Sequence, residues 1–123
     1  MSIRVLVNGG DGKMGKETVQ ALQQDQDFIL VGQTTKKDDL AAAITATQAE
    51  VVVDFTISSV GFHNATAIIK AGARPVIGTS GFLKEQVEEL QARCAKKKLG
   101  GLIAPNFSLG AVLLMQFAQQ AIK

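Results

Sequence analysis

The chain has 123 residues, 46% of them hydrophobic, which is enough for one domain with a real core. Its net charge of +2 is small and evenly spread, and it has no Trp or Tyr, so it lacks both the basic patch and the stacking rings of a nucleic-acid binder. Cys94 is the single cysteine, which excludes an internal disulfide, and no apolar run approaches the roughly 20 residues of a membrane span.

Cysteine usage of this kind fits a reducing compartment. The N-terminus passes straight into a strand without a small-residue cleavage site, so a cytoplasmic α/β domain is expected. An apolar run at Val5, Leu6 and Val7 leads into a glycine-broken turn, Gly9-Gly10-Asp11-Gly12-Lys13-Met14-Gly15. A helical pattern follows through Thr18, Val19 and Leu22. Strand, glycine-rich turn and helix in that order open a dinucleotide-binding fold. The glycines have separate tasks. Gly9 lets the chain turn sharply off the strand, and Gly12 has no Cβ to keep a pyrophosphate away from the backbone. Gly15 lets the helix pack closely on the sheet. The N–H groups and positive dipole end of that helix would hold the diphosphate. The spacing is G-x-x-G-x-x-G rather than G-x-G-x-x-G, and glycine turns also end ordinary strands. Its placement directly after an apolar strand gives the pattern its meaning.

Further along, β-branched runs alternate with helical segments, which argues for a parallel sheet wound with helices on both faces. Phe28 to Val31 reads as the second strand, and Asp38 and Asp39 as caps of a short helix through Ala43 and Ile44. Glu50 to Phe55 is the third strand, an apolar run of the kind buried on both faces. Ser58 or Ser59 caps a helix carrying Ala65, Ile68 and Ile69 and ending near Gly72. Arg74 to Gly78 is the fourth strand, with its proline near the start. Leu83, Val87, Leu90 and Cys94 then form one helical stripe, followed by Lys96, Lys97 and Lys98 at the end where the macrodipole favours cations. Gly100 and Gly101 close that helix, and Leu102 to Ala104 is the fifth strand.

Between Lys98 and Lys123 no residue is charged. A helix from near Ser108 would carry Leu109, Val112, Leu113, Leu114, Met115, Phe117 and Ile122 on more than one face, and such a helix expects partners on two sides. The chain therefore reads as the first half of a longer protein. The competing reading is a free-standing dinucleotide-binding or redox-sensing module that dimerises through this helix.

In wound sheets the ligand lies across the carboxyl ends of the strands. Here these are Asn8-Gly9, Gln33 to Lys37, Asp54 to Thr56, Gly78 to Gly81 and Pro105 to Ser108. An NAD-selective site places an acid at the end of the second strand, about 20 residues after the glycines. Thr34, Thr35, Lys36 and Lys37 stand there instead, and the lysines suit the extra phosphate of NADP, with Lys13 able to approach it. Both lysines also fit a plain solvated turn. Asp38 or Asp39 could supply the missing acid, but each is better placed as a cap. His63 has no ligand partners at metal spacing, so no metal site is expected. Cys94 is expected to be buried and inert, and Asp11 to be a turn residue. Asp54 could act as a general base, yet no nucleophile–base pair and no paired carboxylates are visible. No catalytic residue is assigned.

Four motifs together resemble the N-terminal half of the dihydrodipicolinate reductase family: V-N-G-G-D-G-K-M-G-K at Val7 to Lys16, D-F-T at Asp54 to Thr56, G-T-S-G-F at Gly78 to Phe82, and P-N-F-S-L-G at Pro105 to Gly110. Their order and strand-end placement make the resemblance specific, and it covers the whole chain. It implies a Rossmann-type doubly wound parallel sheet over residues 1–123, with the substrate domain not present. It also implies NAD(P)H-dependent reduction of dihydrodipicolinate to tetrahydrodipicolinate in lysine and diaminopimelate synthesis. Gly9, Gly12, Lys13 and Met14 would hold the diphosphate and adenosine end. Lys36 and Lys37 would occupy the ribose-recognition positions, where many members carry an acid followed by a base. That departure favours NADPH while leaving NADH open. Phe55, Thr56, Gly78 and Ser80 would line the nicotinamide, Ser80 standing where the family often has threonine. Ala104, Asn106 and Phe107 would close over the carboxamide side. The family's substrate-binding segment, with paired histidines, a lysine and D-A-P-S-G-T-A, does not occur here. The small-molecule substrate would be held by that missing domain, and a homo-oligomer is expected of the full-length protein.

Overall fold

The computed structural model describes residues 2–56, 58–78 and 81–103. The helix expected from near Ser108 lies outside them, as do Ser80, Ala104, Asn106 and Phe107. Each apolar run between helical segments becomes a strand: β1 (Ile3–Asn8), β2 (Phe28–Thr34), β3 (Val51–Asp54), β4 (Arg74–Ile77) and β5 (Leu102–Ile103). Helices α1 (Lys13–Gln23), α2 (Leu40–Thr47), α3 (Ser58–Lys70) and α4 (Lys84–Lys97) connect them. All pairings are parallel, in the order β2-β1-β3-β4-β5.

Alternation along the strands sorts the core into two layers. Val5, Val7, Val51, Val53 and Val76 pack with Val19 and Leu22 of α1 on one face. Leu6, Val52 and Ile77 pack with Ile44 of α2, Ala65, Ile68 and Ile69 of α3, and Leu90 of α4 on the other. Strands covered on both faces need no polar alternation, which is why β1 and β3 read as continuous apolar runs. The chain leaves β1 toward β2, then crosses back through α2 to place β3 on the opposite side of β1. The loops after β1 and β3 therefore diverge. Their strand ends form the switch point where wound sheets bind ligands.

Several local features differ from expectation. β2 runs on past Val31 to Thr34, with a register shift opposite Val5 and Leu6 that pairs Leu6 with Gly32. Gly32 fits that irregularity, because a Cβ there would sit 3.4 Å from Thr47 Cγ2 and 3.5 Å from Leu6 Cδ1. α3 begins at Ser58, so Ser58 and Ser59 fall inside its first turn. Leu83 does not join the buried stripe of α4. It is the residue before the first turn, 62% exposed, and its N–H donates to Gln86 Oε1 at 2.8 Å. The stripe reduces to Leu90, with Val87 and Cys94 half-buried. α4 is closed by Lys98 in the left-handed region at φ 57, before either glycine is reached. Lys97 reaches across to α3 instead of serving its own helix, donating to the carbonyls of Ile69 at 3.1 Å and Lys70 at 2.7 Å.

Candidate dinucleotide site

The turn after β1 is built by three glycines acting differently. Gly9 takes φ +85, a conformation L side chains rarely adopt, and a Cβ there would also lie 3.2 Å from the Phe55 carbonyl carbon. Its carbonyl accepts the Gly12 N–H at 3.1 Å, which folds the turn back. A Cβ on Gly15 would fall 2.2 Å from Gly9 O and 2.6 Å from Gly10 Cα. Gly15 thus permits close packing of α1 on the turn itself, where packing on the sheet was expected. A Cβ on Gly12 would meet only Gly9 O, at an ordinary 3.6 Å. Among the described residues, the face over Gly12 is therefore left open. Gly12 also supplies no side-chain cap to the α1 N–H groups, and no acid stands in the first turn. Open backbone beside uncapped donors fits an anionic diphosphate.

Beneath the turn lies a polar row at one level of the sheet, since Asn8 is in register with both Thr34 and Asp54. The Thr34 hydroxyl donates to Asn8 Oδ1 at 2.7 Å, and Asn8 Nδ2 donates to Asp54 Oδ1 at 3.1 Å. The same carboxylate oxygen accepts the Thr56 N–H at 3.0 Å, while Asn64 Nδ2 donates to the Thr56 hydroxyl at 2.9 Å. Asp54 is fully buried, and among the described residues its Oδ2 has no hydrogen-bond donor. Burial pushes its carboxyl above the ordinary 3.8, against the lowering pull of Thr56, Asn8 and Asn64.

The raised value sets the sign of a pH dependence. Above 3.8 and up to its folded pKa, the native state binds this proton more firmly than the unfolded chain. The stability Asp54 contributes is thus fully present below 3.8 and is lost as pH rises through the folded value. Asp54→Asn copies the neutral form. It is expected to gain stability relative to wild type as pH rises across that window, read from urea midpoints at several pH values. A difference that stays flat with pH would show that the carboxyl titrates as an ordinary one.

A cleft of about 620 Å³ opens above this row. That volume lies within the usual range for small-molecule sites. Of the residues anticipated to hold a dinucleotide, Gly9, Gly12, Lys36, Phe55 and Thr56 line it. Lys13, Met14, Lys37 and Gly78 are not among its lining residues. Asp39 caps α2 as anticipated, its Oδ1 accepting the Ala42 N–H at 3.1 Å, whereas Asp38 is not a cap: its Oδ2 accepts the Thr35 N–H at 2.8 Å and holds the turn after β2. Both nevertheless line the cleft beside Lys36, as does Asp11 near the glycine turn.

Reasoning from sequence missed one wall. Val60, His63, Asn64 and Ala67 of α3 line the cleft. Their spacing of three, four and seven residues is a helical stripe that follows a strand at the switch point, so the signal was present. Among the described residues, no three His, Cys, Asp or Glu side chains come together as a metal site, and no helix is long and apolar enough to cross a membrane. Cys94 is half-buried against the second core layer, and burial pushes its thiol pKa up, away from the reactive thiolate.

The parallel sheet, its switch point and the glycine turn make this a Rossmann-type α/β domain. A homologue of inositol dehydrogenase from Azotobacter vinelandii, solved in complex with NAD+, shares the fold at TM-score 0.74 and 18% identity, over 85% of this chain and 34% of that one. Residues 3–107 match the family described as "Dihydrodipicolinate reductase, N-terminus", and the chain belongs to that family. The 4-hydroxy-tetrahydrodipicolinate reductase of Coxiella burnetii (strain Dugway 5J108-111) is 50% identical over 121 residues, which cover 98% of this chain and 51% of the relative. Dipicolinate-bound dihydrodipicolinate reductase from Paenisporosarcina sp. TG-14 superposes with TM-score 0.80 at 30% identity, covering 98% of this chain and 54% of that one. The chain spans about half the length of the curated relatives it matches. Relatives that are reductases do not favour the free-standing module that dimerises through its last helix.

Proposed function

We propose that residues 1–123 form the dinucleotide-binding half of a reductase that converts dihydrodipicolinate (4-hydroxy-tetrahydrodipicolinate) to tetrahydrodipicolinate in lysine and diaminopimelate synthesis. The observation that carries the dinucleotide is the glycine turn at the β1/β3 switch point, with the face over Gly12 open beside uncapped α1 donors. The Coxiella relative's name supports the reaction, and the NAD+ complex on the same fold supports the cofactor class.

In this reading Gly9 and Gly12, with Lys13 and Met14 at the start of α1, hold the diphosphate and adenosine end. Lys36 and Lys37 meet the ribose and the 2′-phosphate of NADPH. Phe55, Thr56 and Gly78 orient the nicotinamide ring. Ser80, Ala104, Asn106 and Phe107 are assigned to the same end by family resemblance alone. Once bound, the reduced nicotinamide supplies the hydride. The contribution of these residues is to fix the ring in near-attack geometry toward a substrate held by a second domain of the full-length protein. Substrate domain, homo-oligomer and cytoplasmic location complete the proposal.

Calorimetric titration of the chain with NADPH and NADH tests it. The charge of Asp38 and Asp39 beside Lys36 keeps the expected preference modest. NADPH is expected to bind about tenfold more tightly, equivalent to ~1.4 kcal/mol. Equal affinities would remove the NADPH preference and keep the dinucleotide. Failure of both to bind would remove the proposed function.

A further inference from the structure

The polar row beneath the cleft is more than the sheet requires. The backbones of β1, β2 and β3 are already paired there, and Val or Ile at positions 8, 34 and 54 would pack this level of the sheet without desolvating polar groups. The next residue in register, Ile77 on β4, is apolar, so the row stops on the far side of the switch point. Polarity is confined to the three strand ends under the cleft.

The row also has a fixed direction. Asp54 Oδ1 is an acceptor, since it takes the Thr56 N–H, so the Asn8 amide turns its NH2 to Asp54 and its carbonyl to the Thr34 hydroxyl. One Asp54 oxygen then takes both Asn8 Nδ2 and the Thr56 N–H. The Phe55–Thr56 peptide is held from the other side by Gly9, whose missing Cβ would meet that peptide at 3.2–3.4 Å. Thr34, which does not line the cleft, directly precedes Thr35 and Lys36, which do. One end of the row carries the Lys36 rim, and the other carries the Phe55–Thr56 turn.

We propose that Asn8 and Asp54 are positioning residues, whose buried row from Thr34 to Thr56 sets the Phe55–Thr56 turn at a fixed place relative to the Lys36 rim, so that one frame meets both ends of a dinucleotide. The inference deepens the proposed function and rests on it. Its consequence is non-local: loss of the Thr34 hydroxyl at the adenosine side should be felt at the nicotinamide side.

The test compares wild type, Thr34→Val and Thr34→Ser in the full chain, with Kd measured for NADPH and for adenosine 2′,5′-bisphosphate, which occupies the adenosine end alone. Thr34→Val is expected to weaken NADPH about fivefold and the fragment less than about twofold, with Thr34→Ser restoring the wild-type values. The Thr56 amide resonance should move in Thr34→Val and return in Thr34→Ser. A purely structural role would lower stability and leave the ratio of the two affinities unchanged. An unchanged ratio, whether both ligands weaken or neither does, overturns the positioning role. Thr34→Ala gives the same comparison should the valine variant not fold. Wild type that binds neither ligand would overturn the dinucleotide reading and this inference with it, a result distinguishable from an unchanged ratio in a wild type that binds.

Discussion

Gly15→Ala is expected to destabilise the chain by about 3 kcal/mol or more and to abolish dinucleotide binding. In a helix interior this change ordinarily stabilises, by about 1 kcal/mol. The expected sign is therefore opposite to propensity. The added Cβ would sit 2.2 Å from Gly9 O, 2.6 Å from Gly10 Cα and 2.9 Å from Gly9 C. All three are backbone atoms, so no side chain can swing aside. The turn cannot easily retreat either, because Gly9 is held by its own N–H on the Thr34 carbonyl at 2.8 Å and by the Gly12 N–H on its carbonyl at 3.1 Å. Relief requires α1 to lift from the turn, taking Val19 and Leu22 out of the first core layer. A urea midpoint measured by circular dichroism reads the loss. Gly12→Ala is the control: its Cβ has room in the protein, so stability should hold while binding falls. A Gly15→Ala chain with the wild-type midpoint would mean that helix and turn do not touch in this way.

Gly9 and Gly15 also show what sequence does and does not carry. The run Val5-Leu6-Val7 followed by glycines was legible as strand and turn, because burial on both faces leaves a continuous apolar signature. Gly9 was legible as the turn residue, and its φ of +85 agrees. The partner of Gly15 was not, since contact with the Gly9 carbonyl depends on how α1 docks. Likewise Asn8, Thr34 and Asp54 are far apart in the chain, and only the strand register brings them into one row. Asp54 seen alone suggested a base without a partner. In place, it is the acceptor that fixes two neighbouring donors. Leu83 was misplaced because a helical stripe does not mark where the helix begins, which here depends on the Gln86 side chain. The wall of α3 could have been found, because Val60, His63, Asn64 and Ala67 share a helical face after a switch-point strand. The lysine pair was legible as chemistry but not as geometry: Lys36 lines the cleft and Lys37 does not.

That difference makes Lys36→Glu the sharpest probe of cofactor choice. The substitution is expected to weaken NADPH by about tenfold or more while changing NADH by less than about threefold. The effect is electrostatic. Among the described residues, Lys36 is the lysine or arginine lining the cleft, whose rim already carries Asp38 and Asp39. Reversing its charge would bring a third carboxylate to the place proposed for a 2′-phosphate. NADH has a neutral hydroxyl there and should be nearly indifferent. Because Lys36 is exposed, salt screens its field, so the loss should shrink between low and physiological ionic strength. Lys36→Arg should keep the preference, and Lys37→Glu should matter less, since Lys37 does not line the cleft. Equal weakening of both cofactors by Lys36→Glu would place its action on the diphosphate they share. Preference for NADPH in this chain would then have to come from Lys13, at the start of α1, rather than from the end of β2.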